Sequence, residues 1–232
     1  TAIAQALCAA PVQRDGCYEC GQLLVTWAQG HLIDLAMPED YKDRDWGKWS
    51  LDTLPVDPSG HWRWKISAER GAGSRYRQIV QLIRRADVDC LVNACDPDRE
   101  GEAIFRRIAD MEGSRKPELR LWVASLEAEA IQAAWRAMKP ESEYQGLAWS
   151  AEIRSKADWL IGMNASRAYS LLYNARFSVG RVQTPTLAMI AERDRQIRNH
   201  KPVPFWTVIA DMGGWRLSSE RIDSKDAAML LC

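Results

Sequence analysis

Residues 96–102, Asp-Pro-Asp-Arg-Glu-Gly-Glu, place four carboxylates within seven positions, directly after the apolar run Cys90-Leu91-Val92-Asn93-Ala94-Cys95. The run predicts a short buried strand, and Gly101 leads into a helical stretch on the far side. Carboxylates this close repel one another, so the turn requires a compensating cation or a raised pKa. Oxygen donors at this density suit a hard divalent ion, Mg²⁺ or Mn²⁺, better than zinc. The C-terminal end of a strand is also where open α/β sheets place their chemistry. A solvated acidic turn is the competing reading, and the strand–acid–helix context weighs against it.

Charge patterning adds a second constraint. The 31 basic and 31 acidic residues cancel over 232 residues, which excludes a uniformly basic nucleic-acid coat. Between Glu143 and Lys201, however, nine bases (Arg154, Lys156, Arg167, Arg176, Arg181, Arg193, Arg195, Arg198, Lys201) face five acids. The rest of the chain carries the matching acidic excess. One polyanionic ligand bridging the two parts fits this division. The 47% apolar content is ordinary for a chain with a real core, and no apolar run reaches the roughly 18 residues of a membrane span. A membrane partner is not expected.

Cys17-Tyr18-Glu19-Cys20 is a lone CxxC among six cysteines, without a second pair or a nearby His couple. Structural zinc needs four ligands, so no zinc is expected. In a strand, positions three apart face opposite sides, which weakens the metal reading further. Cys90 and Cys95 read as packed thiols, and a reducing, cytoplasmic location fits all six. The opening Thr1–Leu7 looks like a helix entered part way along and lacks an initial Met, so the chain reads as a piece of a longer protein.

Along the chain, β character runs from Gly16 to Leu35 and an irregular stretch from Pro38 to Gly60. A strand at His61–Ser67 precedes an amphipathic helix at Ser74–Ala86, with Ile79, Val80, Leu82 and Ile83 facing inward. A helix at Gly101–Met111, a strand at Leu119–Val123 and a helix at Leu126–Met138 follow the acidic turn. This alternation predicts an α/β fold, a doubly wound parallel sheet flanked by helices. Residues 141–173 are helical by pattern with a break near Gly162 and Asn164, and Arg181–Asn199 resumes the helix. Pro202–Asp211 turns strand-like. The expected division is therefore an α/β domain over 1–140, a mostly helical domain over 141–201, and the start of a further strand-containing domain over 202–232.

Four motifs in order resemble those of one family. Residues 96–102 resemble the DxDxEGE signature of a TOPRIM domain, and Gly180-Arg181-Val182-Gln183-Thr184-Pro185-Thr186-Leu187 resembles the GRVQTPTL motif of type IA DNA topoisomerases. Arg154–Arg167 is similar to the arginine helix of the topoisomerase III branch, and Val25–Leu32 fits the same branch upstream. The resemblance extends over essentially the whole chain. It implies an isomerase that cuts one DNA strand through a tyrosine, passes another strand and religates with Mg²⁺, without ATP. Two elements of the family are missing: a catalytic Glu on the first TOPRIM strand, and a nucleophilic Tyr in a Thr-Tyr-x-Arg-Thr-Asp context. None of Tyr18, Tyr41, Tyr76, Tyr144, Tyr169 or Tyr173 has such neighbours. The chain is thus expected to be an amino-terminal piece, inactive alone.

Residue by residue, the resemblance implies Asp96, Asp98 and Glu100 as Mg²⁺ ligands, with Mn²⁺ as a substitute. It implies Arg154, Glu100 and His31 as catalytic. Arg99, Lys156, Arg167, Arg181, Gln183 and Thr184 are implied as DNA contacts. Glu102, at a predicted helix N-terminus, reads equally as structural or as an accessory to the metal. The implied partner is DNA, preferably single-stranded, for a monomeric protein at the nucleoid. Two alternatives stay open: a free-standing TOPRIM nuclease or primase using the acidic turn directly, and a non-catalytic single-stranded DNA-binding module. The tryptophans beside the irregular stretch, Trp46, Trp49, Trp62 and Trp64, suit core and loop packing better than base stacking.

Overall fold

A computed structural model describes residues 1–231 and falls into two compact units, Thr1–Arg181 and Val182–Cys232. Cys232, the last of the six cysteines, lies outside the described residues. The division at Arg181 differs from boundaries at 140 and 201, because the long helix expected to start a second domain packs into the first unit.

The first unit opens with helix α1 (Ala2–Leu7) and an antiparallel meander of β1 (Val12–Arg14), β2 (Cys17–Cys20) and β3 (Leu23–Val25). Cys17 and Cys20 are both buried in the central strand, and burial pushes the Cys20 thiol up to about 11. Strand β4 (Ile33–Leu35) pairs antiparallel with β5 (Trp64–Ile66) across the irregular stretch, which folds as three 3₁₀ turns. Helix α2 (Ala72–Ile83) follows. Its Tyr76, Ile79 and Val80 pack with Leu32, Ile33 and Ile108 in one core cluster. A second cluster joins Leu35, Val56 and Trp159 with Trp46, Trp62 and Trp64 at its edge. Trp46, Trp62 and Trp64 therefore pack against the core, whereas Trp49 is exposed beside the Arg167 guanidinium.

Strand β6 (Leu91–Asn93) lies parallel to β7 (Glu118–Arg120), joined by helix α3 (Arg99–Glu112); after α4 (Ala128–Arg136), the short β8 (Lys139–Pro140) adds antiparallel to β7. The α/β character holds, but the sheet is small. One parallel pair replaces the doubly wound sheet, since the earlier strands pair antiparallel, β1–β3 as a meander and β4 with β5 across the irregular stretch. Helix α3 starts where Asp98 Oδ1 accepts the Gly101 amide at 2.8 Å and stops at Gly113, whose φ of 67° suits glycine. Glu100 and Glu102 in its first turn complement the helix dipole.

Helix α5 (Gln145–Leu172) runs 28 residues without the break expected at Gly162 and Asn164. Asn164 points its amide out of the helix instead. Its Oδ1 accepts Val56 N at 2.6 Å and its Nδ2 donates to Val56 O at 2.9 Å, anchoring the irregular stretch to the helix. After Asn174, at φ 48°, the chain turns back along α5. Ser170 Oγ accepts Phe177 N at 3.0 Å, Ser166 Oγ accepts Val179 N at 2.9 Å, and Asp158 receives Arg181. Residues 158, 162, 166 and 170 form one stripe at helical spacing, and 177, 179 and 181 alternate along it.

In the second unit, α6 (Gln183–Arg198) precedes a hairpin of β9 (Ile209–Asp211) and β10 (Arg216–Ser218), then α7 (Lys225–Met229). Among the described residues no helix is long and apolar enough to cross a membrane.

Candidate active site at the acidic turn

Beneath the acidic turn lies a buried polar network that sequence reasoning did not find. Arg120, at the end of β7, is fully buried. Its Nη1 donates to the carbonyls of Asn93 (3.1 Å) and Cys95 (2.9 Å) and to Asn93 Oδ1 (2.7 Å); its Nη2 donates to Asp96 O at 2.6 Å. One guanidinium thus holds the main chain from the end of β6 to the first residue of the turn. Its charge faces Glu102 at 3.6 Å, itself fully buried and paired with Arg106 at 3.0 Å. Asn93 Nδ2 donates to Glu102 Oε2 (3.2 Å) and Glu141 Oε1 (2.8 Å), and Arg106 Nη2 donates to the Glu141 carbonyl at 2.6 Å. Burial drives the Glu141 carboxyl up to about 7, against the Asn93 hydrogen bond that lowers it. Glu102 is therefore a structural member of this network. The available signals were an Arg and an Asn inside otherwise apolar strand runs, where an uncompensated polar group is costly.

Above the network, Glu100 gathers two of the expected catalytic residues. Its Oε2 lies 3.4 Å from His31 Nε2 and its Oε1 lies 3.6 Å from Arg154 Nη1. Arg154 also approaches Asp158 (3.8 Å), which Arg181 holds through two contacts of 2.5 and 3.2 Å. Arg181 lowers the pKa of Asp158, and Asp158 raises that of Arg181. Arg99, Arg154 and Arg181 line an open groove of about 810 Å³, with Trp149 and Ile153 exposed beside them. On the inner side, Arg107 reaches His31 Nδ1 at 3.3 Å.

Other expected site residues are placed elsewhere. Arg167 is 3% exposed, and its guanidinium donates to the Trp46 carbonyl and pairs with Glu39 at 2.8 Å. Expected as a DNA contact, it instead clamps the irregular stretch and is not among the residues that line the groove. Lys156 pairs with Glu152 one helical turn away and lies 5.6 Å over the Trp62 ring. Gln183 and Thr184 open α6 in the second unit.

Asp96, Asp98 and Glu100 are all exposed carboxylates, a donor set that fits a hard divalent ion. Among the described residues, though, no three His, Cys, Asp or Glu side chains converge closely enough to enclose a metal ion. The expected three-carboxylate cage is not assembled, because Asp98 caps α3 and Glu100 turns toward His31 and Arg154. Mg²⁺ is commonly held by one or two carboxylates together with substrate phosphates. Asp96 and the second oxygen of Asp98 suit that mode.

Residues 142–232 match the family model described as DNA topoisomerase. The chain is 39% identical over 211 residues to DNA topoisomerase 3 of Bacillus subtilis, covering 91% of this chain and 28% of that protein. It is 40% identical over 196 residues to DNA topoisomerase 3 of Bacillus anthracis, covering 84% and 26%. It therefore spans little more than a quarter of the length of these relatives. Among solved structures, full-length topoisomerase I from Thermotoga maritima shares the fold with a TM-score of 0.55 at 19% identity, covering 87% of this chain and 32% of that one. By sequence over nine tenths of its length, and with a fold that agrees, this chain is homologous to the DNA topoisomerase 3 proteins, of which it corresponds to little more than a quarter.

Proposed function

We propose that this chain supplies the metal-assisted half of a type IA topoisomerase site and a groove for single-stranded DNA, in a bacterial protein that breaks, passes and rejoins DNA strands without ATP. The observation that carries this reading is the convergence of Glu100, His31 and Arg154 at the rim of a groove lined by Arg99 and Arg181. Two guanidiniums along one groove match the charge of a nucleic-acid backbone, and the exposed Trp149 beside them offers a base a stacking surface.

Each residue then has a task. Arg154 stays charged and meets two phosphate oxygens at once, stabilising charge that develops at the scissile phosphate. Arg99 and Arg181 hold neighbouring phosphates and fix the register of the strand. Arg120 and Gly101 keep the main chain of the acidic turn in place, so that Asp96 and Asp98 face outward together. Mg²⁺ bound to these two would polarise a phosphate oxygen and orient it for rejoining. The attacking tyrosine, by context, is none of the six in this sequence, and comes from another segment of the intact protein. That protein acts as a monomer at the nucleoid.

Incubation of the chain with labelled single- and double-stranded oligonucleotides, with Mg²⁺ or Mn²⁺, tests the reading on native and denaturing gels. Binding that prefers single strands, without scission, supports it. Metal-dependent cutting abolished by Asp98→Ala would make the turn a nuclease centre and overturn it.

A further inference from the structure

The two ring nitrogens of His31 face groups of opposite character. Nδ1 lies 3.3 Å from Arg107 Nη1, and Nε2 lies 3.4 Å from Glu100 Oε2. A guanidinium can only donate hydrogen bonds, whereas a carboxylate can only accept them. Arg107 contact with Nδ1 therefore requires a lone pair there, which leaves the ring proton on Nε2, toward Glu100. We infer that Arg107 is a positioning residue that fixes the tautomer of His31, so that this histidine meets the site as a hydrogen-bond donor and not as a proton acceptor.

Arg107 is built to hold this post. Its Nη2 donates to Ser155 Oγ at 2.5 Å, and Ser155 in turn donates to the Ala151 carbonyl of α5 at 2.9 Å. Its guanidinium lies 4.4 Å above the Trp64 ring, whose face favours a cation. Burial opposes its charge, while Glu100, Asp34 and Glu152 support it. Helix α3 supplies both Glu100 and Arg107, two turns apart on one face, and α5 supplies Ser155 beside Arg154. His31 is thus gripped between two residues of the same helix, one accepting and one donating. The setting of a histidine by the hydrogen bond to its other nitrogen is a general means of choosing its role. Here the proton on Nε2 points into the position where Glu100 and Arg154 meet. This assignment takes its functional meaning from the strand-passage reading above, but its geometry stands without it.

The test reads the ring directly. Long-range ¹H–¹⁵N correlations of the whole ¹⁵N-labelled chain resolve its three histidines, at a pH above the ordinary imidazole range, and His31→Gln assigns the signal. The expected result is about a tenfold or greater preference of His31 for the Nε2–H form, with exposed His61 and His200 showing mixed tautomers. Arg107→Met should shift His31 toward that mixture, with the backbone amide spectrum retained and the remaining preference owed to Glu100. Ser155→Ala should shift it in the same direction by less, and serves if Arg107→Met does not fold. A proton on Nδ1 in the unaltered chain overturns the assignment, as do unchanged His31 signals in the folded variants. Oligonucleotide binding measured on the same samples separates the two readings: a chain with the Nε2–H signature that fails to bind single strands refutes the strand-passage function and leaves this inference standing.

Discussion

Gly101 lies against the main chain of Asp96 so closely that a Cβ built on it would sit 2.1 Å from the Asp96 carbonyl oxygen and 2.7 Å from its nitrogen. Both contacts are with backbone, which cannot swing aside as a side chain can. Gly101→Ala should therefore displace the acidic turn and destabilise the first unit by about 1–3 kcal/mol. Urea unfolding measures it, and a loss below roughly 0.5 kcal/mol would show that the turn can move.

Arg120→Met removes the donor group that spans the carbonyls of Asn93, Cys95 and Asp96, and leaves Glu102 with the Arg106 cation and the Asn93 amide. Breaking a buried charge pair from one side costs about 3–5 kcal/mol. Denaturant titration should show a loss of that size. Stability equal to that of the unaltered chain would mean that solvent reaches Glu102.

Glu141 makes stability depend on pH. Its carboxyl, raised by burial from 4.5 to about 7, favours the folded state while protonated. That contribution is complete below about pH 4.5 and disappears as pH rises through about 7. Glu141→Gln keeps the neutral form at every pH, so the variant should gain on the unaltered chain as pH rises. The gain should approach roughly 3 kcal/mol above pH 7 and vanish near pH 4.5. Melting temperatures at pH 5 and pH 8 decide it; a constant difference would place Glu141 near its ordinary value.

Much of this site was legible from its residues, and the parts that were not share a cause. The acidic turn, its strand and its helix follow from local pattern, because the run Leu91–Asn93, the Asp98 cap and the acids of the first turn all act within a few residues. Arg120, Glu141 and Arg107 act across 24 to 76 positions; only Arg120 carries a local signal, its place in an apolar strand run, and that signal does not name its partners. Arg167 failed in the opposite direction. Its place in an arginine-rich helix suggested a phosphate contact, while its partners, Trp46 and Glu39, lie more than 120 residues away. The helix break expected at Asn164 had a similar origin: an amide that competes with helix locally is satisfied instead by Val56, 108 positions back. The small sheet was missed because short strands of ordinary composition do not announce whether they pair with a neighbour or across a crossover.

Asp158 should restrain the groove it lines. It occupies Arg181 through two contacts and approaches Arg154, so both cations are partly neutralised. Asp158→Asn should raise affinity for a single-stranded oligonucleotide and steepen its salt dependence, by up to about 0.7 in log–log slope for each phosphate newly engaged. Fluorescence anisotropy from 50 to 200 mM salt reads both; weaker binding by the variant would mean that Asp158 aligns the arginines rather than holding them back.

The return of the chain along α5 has a consequence for how this protein tolerates change. Arg181 reaches Asp158 because Ser170, Ser166 and Asp158 fall on one line of the helix and receive Phe177, Val179 and Arg181 in turn. The helix works as a ruler, graduated every four residues. Adding one residue between Asp158 and Ser166 would rotate the marks by about 100° and send Arg181 away from the groove. The same insertion between Tyr173 and Arg176 would lie off the scale and leave every mark where it was. Length is therefore fixed within the helix and free at its far turn, so natural variation in chain length around this site should collect in that turn.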